Sequence, residues 1–453
     1  MRVNTRETPR AVPAKPAKLT VVKDGAHSTV VGGSTAGLRL ACTASRLEEN
    51  RAGRSTNKWA DRGTALHHIM EEALLEDMDH AAVLRAWAGV SIGPEGKVQL
   101  PDSDMVFTID ITADLLKTKV QPALDYFDKI MHPSAKFLVE QKVGFFVPDD
   151  VPDVGYDDIR DASFESVDGA FGTADVTAKK LLDPKSNRYL PGVLDWKFGD
   201  GYLVPAENND QMRFYLVGAI MTGILPVVPE YVAHIFQPAD SMHPDEFGSS
   251  AVYTLEDLVR FNNELADAIK ADPVHTVGAH CAKCNGRMVC KAFQDTLTTA
   301  VMTDVPGMSA KDLAQQLRLL GAYKKFIEDV AAAALRNAQA GVDIPGYVLE
   351  PAQGNSAWRD GEKAERALGR LGLGVHDRRV VTTVSPTQAL KLLGNLGTGE
   401  RELERFKKQH IFRPDNGEKL VVDKGEGKGN GNPRGAMKRL AAALEARGYG
   451  GGK

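Results

Sequence analysis

The chain has 453 residues, 43% of them hydrophobic and 26% charged, enough apolar material for two or three cored domains and enough charge to keep them soluble. Its 56 basic side chains against 60 acidic ones leave a net charge of −4, which argues against a protein that packages nucleic acid through bulk charge. No run of about 18 apolar residues occurs, so no membrane-spanning helix is expected. Four cysteines in so long a chain do not make a disulfide framework.

In chain order, residues 1–24 are rich in Pro, Ala and Lys and read as a disordered basic arm. No apolar stretch follows that basic start, so it is not a secretory signal, and a cytoplasmic protein is expected. The segment from Gly32 to Asn50 reads as a loop entering a short helix and carries Cys42. Residues 60–77 have helical spacing, with Leu66, Ile69, Met70, Ala73 and Leu74 on one face. A second helix is expected over 111–130, with Leu115, Val120, Leu124 and Phe127 inward. Short strands follow at 136–147, 168–178 and 190–199, the last two joined by the polar turn segment KKLLDPKSNRY. Helices at 206–223 and 255–271 bracket a strand at 229–238. A long Ala- and Leu-rich helix is expected over 310–341, ended by Gly341, and strands in IPGYVLEPAQGNSAWRD. Ser385 and Pro386 read as the cap and first turn of the helix TQALKLL, and residues 423–435 as low-complexity chain.

The candidate chemistry lies around the three strands. Asp195 and Lys197 are two apart on a strand and share a face, whereas Trp196 points the other way. Asp175 sits on the neighbouring strand in GTADV. Two carboxylates converging with a lysine suit a hard divalent cation, Mg²⁺ or Mn²⁺. Such an ion polarises a phosphoryl oxygen and acidifies a bound water. His67 lies on the early helix in GTALHHIME. Gln211 and Tyr215, four apart in QMRFY, share a helix face. Glu140, in FLVEQKV on the preceding strand, is a possible assisting residue and equally a paired edge carboxylate.

Taken in order, GTALHHIME, GTADV, DWK and QMRFY resemble the motifs of the RecB-like branch of the PD-(D/E)XK nuclease superfamily, over about residues 30–300. The resemblance implies an α/β fold: a restriction-endonuclease-like core with a central mixed sheet flanked by helices, followed by a mostly helical C-terminal extension. It implies His67, Asp175, Asp195 and the backbone carbonyl of Trp196 as metal ligands, Lys197 as catalytic, and Gln211 and Tyr215 near the DNA. The whole chain is also similar to an uncharacterised phage and prophage family in which this core carries such an extension. The expected organisation is an arm (1–24), a nuclease domain (25–300), an α+β accessory region (301–422) and a flexible Gly/Lys-rich tail with a short helix (423–453).

Cys281, Cys284 and Cys290 fall within ten residues of one another, and Cys42 is the one further thiol. On ligand type they suit structural Zn²⁺ or an iron–sulfur cluster. One early cysteine and a late trio bracketing a RecB-like nuclease resembles the iron–sulfur nucleases, AddB-type and CRISPR-associated exonucleases among them, and this implies a 4Fe-4S cluster closing the domain.

The expected activity is therefore a metal-dependent deoxyribonuclease, in the first instance an exonuclease of phage or prophage DNA replication or recombination. It would work in the host cytoplasm on DNA, beside a single-stranded-DNA-binding or recombination protein. The competing reading is a non-catalytic DNA-binding recombination accessory protein of the same fold. A zinc-stabilised scaffold with structural carboxylates is a third. No G-x-x-x-x-G-K-[ST] sequence occurs, so any ATP-driven unwinding has to come from a partner.

Overall fold

The computed structural model describes residues 28–53, 57–100, 103–147, 163–200, 203–238, 247–353, 357–358, 361–375, 386–412 and 415–422. The basic arm, Ser385 and the 423–453 tail lie outside them. The chain divides into two compact units, Met1–Phe326 and Ile327–Lys453.

The first unit is an α/β structure built on a five-stranded mixed sheet in the order β3-β4-β5-β6-β7. The strands are β3 (Phe137–Gly144), β4 (Phe171–Asp183), β5 (Arg188–Trp196), β6 (Glu230–Phe236) and β7 (Gly248–Thr254). All neighbours are antiparallel except β5 and β6, which the helix Asp210–Met221 connects in parallel. Alternation along the strands feeds two cores. Val193, Ala233 and Ile235 pack with Phe214, Val217 and Leu258 on one side. Leu194, Val176, Val232 and Trp196 pack with Leu66, Ile69 and Leu124 on the other. The sheet is thus covered on both faces, as a parallel pair at its centre requires.

The early helix spans Lys58–Leu75, and Asn57 starts it by accepting the N–H groups of Trp59 and Ala60. Its buried face is Ala65, Leu66, Ile69, Met70 and Ala73, and Leu74 is only partly buried. The helix expected over 111–130 is not uniform. Helical turns at Ala113–Leu115 and Gln121–Ile130 flank a π segment, Leu116–Val120. Pro122 has no N–H to return to the carbonyl four residues back, which loosens the ladder there. The wider turn carries Lys119 inward, where it is 2% exposed.

KKLLDPKSNRY is not a turn segment throughout. Strand β4 runs through Lys179–Asp183, β5 starts at Arg188, and the hairpin turns tightly between them. Asp183 makes this possible: its carboxylate accepts the N–H groups of Lys185 and Ser186 and the Ser186 hydroxyl at 2.5 Å. Leu181 is fully buried, so the segment belongs to the core. Strand β7 and the small hairpin of β1 (Val90–Ile92) with β2 (Ile109–Ile111) are further elements the sequence reading did not contain.

The long helix covers Ala310–Gln339, and the units part within it. Its first half buries Leu319 and Ala322, and Tyr323 and Phe326 pack about Phe293 and Cys281. In the second unit, strands Tyr347–Gln353 and Asp415–Val422 pair antiparallel. Its helices Gly361–Arg370, Pro386–Asn395 and Glu400–His410 bury Leu368, Leu373, Leu393 and Phe406 together. No helix among the described residues is long and apolar enough to cross a membrane.

The parallel seam of the sheet depends on Gly192. A Cβ there would lie 1.9 Å from the backbone oxygen of Val232, an atom that cannot rotate away. Gly192→Ala is therefore expected to lower the unfolding free energy by about 3 kcal/mol, read from urea denaturation. An unchanged midpoint would show that β5 and β6 are not this close.

Candidate metal centre

The site forms where the ends of β4 and β5 meet the early helix. Val176 pairs with Leu194, so Asp175 and Asp195 are each the next residue toward the same end of the strand pair. Both are buried, at 6% and 2% exposure. Two carboxylates taken out of water side by side need compensation. Asp175 Oδ2 accepts the N–H of Trp196 at 2.7 Å, and its Oδ1 lies 3.4 Å from His67 Nδ1. Asp195 Oδ2 is 2.6 Å from Lys197 Nζ. Its Oδ1 accepts from Gln211 Nε2 at 3.0 Å.

The helix Asp210–Met221 closes this network. It is capped by Asn209, which accepts from the N–H groups of Gln211 and Met212. Gln211 Oε1 accepts from Lys197 Nζ, and Gln211 Nε2 also donates to Tyr215 Oη, both at 3.0 Å. The four-residue spacing does what a helix face predicts. Tyr215 is 7% exposed and seats its ring against Gly33 and Gly172, where a Cβ would stand 2.5 Å and 3.3 Å away. It is held inside the protein, behind Gln211.

Glu140 is the departure. It has φ +50 inside β3, a left-handed conformation unusual for a non-glycine residue and rarer within a strand. The regular pairing of β3 with β4 skips it, passing from Val139↔Val176 to Gln141↔Ala174. Donor atoms of Glu140, His67 and Asp175 lie within 4.8 Å of one another, the one such group of three among the described residues. The structure thus adds Glu140 to the residues it brings together, and no pattern in FLVEQKV marks its backbone twist. His68, one position on, turns away and sets its ring edge-on to Trp87 at 5.6 Å.

The charges respond to this crowding. Burial alone would push the His67 imidazolium toward neutrality, but the carboxylates of Asp175, Glu140 and Asp195 outweigh it and raise its pKa to about 9. Burial pushes the Asp195 carboxyl up to about 6, and the nearby Asp175 adds to this against the pull of Lys197. Asp175 resists its own burial because His67, Lys197 and the Trp196 N–H stabilise its anion, and its pKa lies below the ordinary value. Burial also holds the Tyr215 hydroxyl protonated.

A second donor set lies elsewhere in the unit. Cys42, Cys281, Cys284 and Cys290 are all free thiols and line one cavity with His275, His280 and Phe293. Cys42 reaches it because residues 42–44 are laced to 272–276. Thr43 Oγ1 accepts the Val274 N–H and donates to Asp272 O, and Ala44 N–H donates to Val274 O. His280 is hydrogen-bonded to Thr276 O at 2.8 Å, and the neighbouring Cys281 and Cys42 thiols raise its pKa to about 10. Burial pushes Cys284 up to about 12. His275 is engaged by Glu48 at 2.9 Å.

This chain is an α/β protein with a clustered His–carboxylate–lysine centre and a four-thiol cavity. Residues 160–426 match the family described as protein of unknown function (DUF2800), and the chain belongs to that family. The matched stretch holds Asp175, Asp195, Lys197, Gln211, Tyr215 and the cysteine trio, whereas His67, Glu140 and Cys42 precede it. No curated protein matches the chain.

The His67 shift has a measurable consequence. Its pKa is near 6.5 unfolded and about 9 folded, so the folded state holds this proton more tightly. The stabilisation is full below about pH 6.5 and is lost as pH rises through about 9. His280 contributes in an overlapping window, so the readout is a difference between variants. In chelator, wild-type protein is expected to lose several degrees of Tm between pH 6.5 and 9.5, and His67→Gln distinctly less. Parallel curves for the two proteins would refute the His67–Asp175 pairing.

Proposed function

We propose that this protein is a metal-dependent DNA nuclease of the RecB-like PD-(D/E)XK type. The observation that carries the reading is the mutual geometry of Asp175, Asp195 and Lys197, with His67 and Glu140 beside the first and Gln211 beside the other two. The donors are one imidazole and several carboxylates, the chemistry of a Mg²⁺ or Mn²⁺ site and not of a thiophilic metal. His67, Glu140, Asp175 and Asp195 would hold the ion, with the Trp196 carbonyl as the further ligand the resemblance implies. When bound, the cation supplies positive charge to a phosphoryl oxygen and lowers the pKa of a water.

The protein's own residues do the remaining work. Lys197 is fixed by Asp195 and Gln211, so its ammonium is a preorganised donor for an attacking water or for charge developing on the phosphoryl group. Gln211 and Tyr215 are positioning residues: the amide sets Lys197 and Asp195 at fixed separation, and the buried phenol fixes the amide. In this reading the enzyme hydrolyses DNA phosphodiester bonds, as an exonuclease, in phage or prophage replication or recombination.

The four cysteines are proposed to hold a 4Fe-4S cluster. The support is the donor set itself, four free thiols lining one cavity, together with the cysteine pattern that resembles the iron–sulfur nucleases; structural zinc is the alternative that thiolates also suit. The cluster's place is structural, joining residue 42 to residues 281–290.

Asp195→Ala is expected to abolish Mg²⁺- or Mn²⁺-dependent cleavage of end-labelled linear DNA. Lys197→Ala should lower turnover about 10²- to 10³-fold while retaining Mn²⁺ binding by calorimetry. His67→Ala should lose activity strongly and His68→Ala only mildly. Wild-type cleavage by Asp195→Ala would sink the assignment.

Anaerobically purified protein is expected to be brown, with iron and sulfide near four each per chain. Cys42→Ser should bleach it as fully as Cys284→Ser. A colourless preparation with one zinc per chain would replace the cluster by zinc. A Cys42 variant of full stability that keeps its metal would remove the staple itself.

A further inference from the structure

We propose that Trp59 is a stacking platform for a base of an unpaired DNA strand entering the metal centre, an inference that rests on the nuclease reading above. Trp59 is 69% exposed, in a chain whose other tryptophans of the first unit, Trp87 and Trp196, are 5% and 1% exposed. A single exposed apolar side chain is ordinary on a protein surface, so what distinguishes Trp59 is the way its ring is held.

The ring is held as well as exposed. Asn57 fixes the Trp59 backbone through the helix cap. The Arg62 guanidinium lies over the indole, 4.8 Å from its centroid. Arg62 is itself pinned, donating to Asp200 Oδ2 at 2.6 Å and to Phe198 O at 3.1 Å. Asp200 is anchored in turn by the buried Lys119, which also donates to Pro238 O at 2.6 Å. A fixed cation therefore backs one face of the indole, leaving the other for a π-system to stack on.

The platform and the metal centre are mechanically one piece. Phe198 and Asp200 lie one and three residues after Lys197, and Phe198 also sets its ring edge-on to His67 at 5.3 Å. Trp59 and His67 share one helix, eight residues and so about 12 Å apart along the axis. That distance is between three and four base steps of a stacked strand at about 3.4 Å each. In an intact duplex, bases at that remove are paired and stacked on their neighbours and have no free face. Every base of an unpaired strand offers a free face, whereas within a duplex only the terminal pair does, so the indole favours an unpaired strand. Stacking on an aromatic ring is tolerant of sequence, which suits an enzyme that degrades a strand progressively.

The test uses the full-length protein with Ca²⁺ in place of Mg²⁺, a short single-stranded oligonucleotide, and a blunt duplex of the same sequence. The single strand should quench the fluorescence of the exposed tryptophan, and Trp59→Phe should remove that quench while keeping most of the affinity. Trp59→Ala should weaken single-strand binding about 5- to 150-fold and leave blunt-duplex binding and Mn²⁺ binding at the metal centre unchanged. Tyr189→Ala, removing another exposed aromatic at the opposite end of β5 from Lys197, should change neither. If wild-type protein binds and cleaves DNA but Trp59→Ala binds single strands normally, or loses single strand and duplex equally, the platform is overturned and the nuclease reading stands. If wild-type protein neither binds nor cleaves DNA, both fall.

Discussion

Asp175 and Asp195 are buried next to each other at the end of an antiparallel strand pair, and much of the first unit can be understood as what that juxtaposition requires. An unpaired carboxylate in the interior is costly, and two together repel as well. The chain answers with four groups from three elements: an imidazole from the early helix, an amide from the helix that crosses between β5 and β6, and, from β5 and the residue just after it, the Trp196 N–H and the Lys197 ammonium. None of these elements can shift without uncovering a charge. A stabilising core would be built more simply with apolar residues at both positions, since replacing buried ionic groups by well-packed apolar ones is often neutral or better. Burial nevertheless raises Asp195 toward the neutral range even with the Lys197 ammonium beside it, so the cluster carries an electrostatic cost that an apolar core would avoid.

Glu140 extends the same argument to the backbone. A left-handed residue inside a strand costs of order 1–3 kcal/mol, and its neighbours Val139 and Gln141 keep regular pairs with β4. The twist delivers one more carboxylate to His67 and Asp175, and that adds negative charge to a place already rich in it. The strain and the repulsion are both costs, met in part by the charge of the His67 imidazolium that these carboxylates stabilise. Lys119 shows the complementary device. The π turn ahead of Pro122 aims a lysine at Asp200, so the segment that leaves Lys197 is fixed from beneath by Lys119 and from the early helix by Arg62.

How much of this was legible in the sequence follows from which physical signals are local. The Asp195–Lys197 face follows from strand alternation, and the Gln211–Tyr215 face from helical spacing. Both stand in the structure as read, because each depends on one element alone. The hairpin of β4 and β5 was read too short, because Asp, Pro, Lys, Ser and Asn gather in its turn and mask the buried Leu181 beside them. Strand β7 was missed although SSAVYT alternates, because its burial comes from pairing with β6 along its whole length. The sequence around Glu140 fits an assisting role and a paired edge carboxylate equally well. Its side-chain direction is set by a φ value that no residue type at that position announces. The Lys119–Asp200–Arg62 lock joins residues 62, 119 and 200, and a signal of that range is not carried by periodicity. A lysine between the apolar Leu116 and Val120 on the core face was the one available clue.

The thiol cavity obeys a different logic from the carboxylate centre. Its four sulfurs come from two segments more than 230 residues apart, and Thr43 and Ala44 bond to Asp272 and Val274 through backbone and hydroxyl groups. The closure of that very long loop is therefore shared between hydrogen bonds and whatever the cysteines hold. Closing a loop costs entropy that grows only with the logarithm of its length, so a ligand proposed for these thiols would act less through the span than through the local segment it organises. Residues 278–290 are two short 3-10 turns with few apolar anchors, Cys281 and Cys284 among them. Loss of metal is then expected to loosen this segment first. Its Phe293 contact with Tyr323 and Phe326 would follow, before the sheet and its carboxylates feel anything. The thiol cavity thus belongs to the packing around Phe293, and the carboxylate centre is held by its own charges.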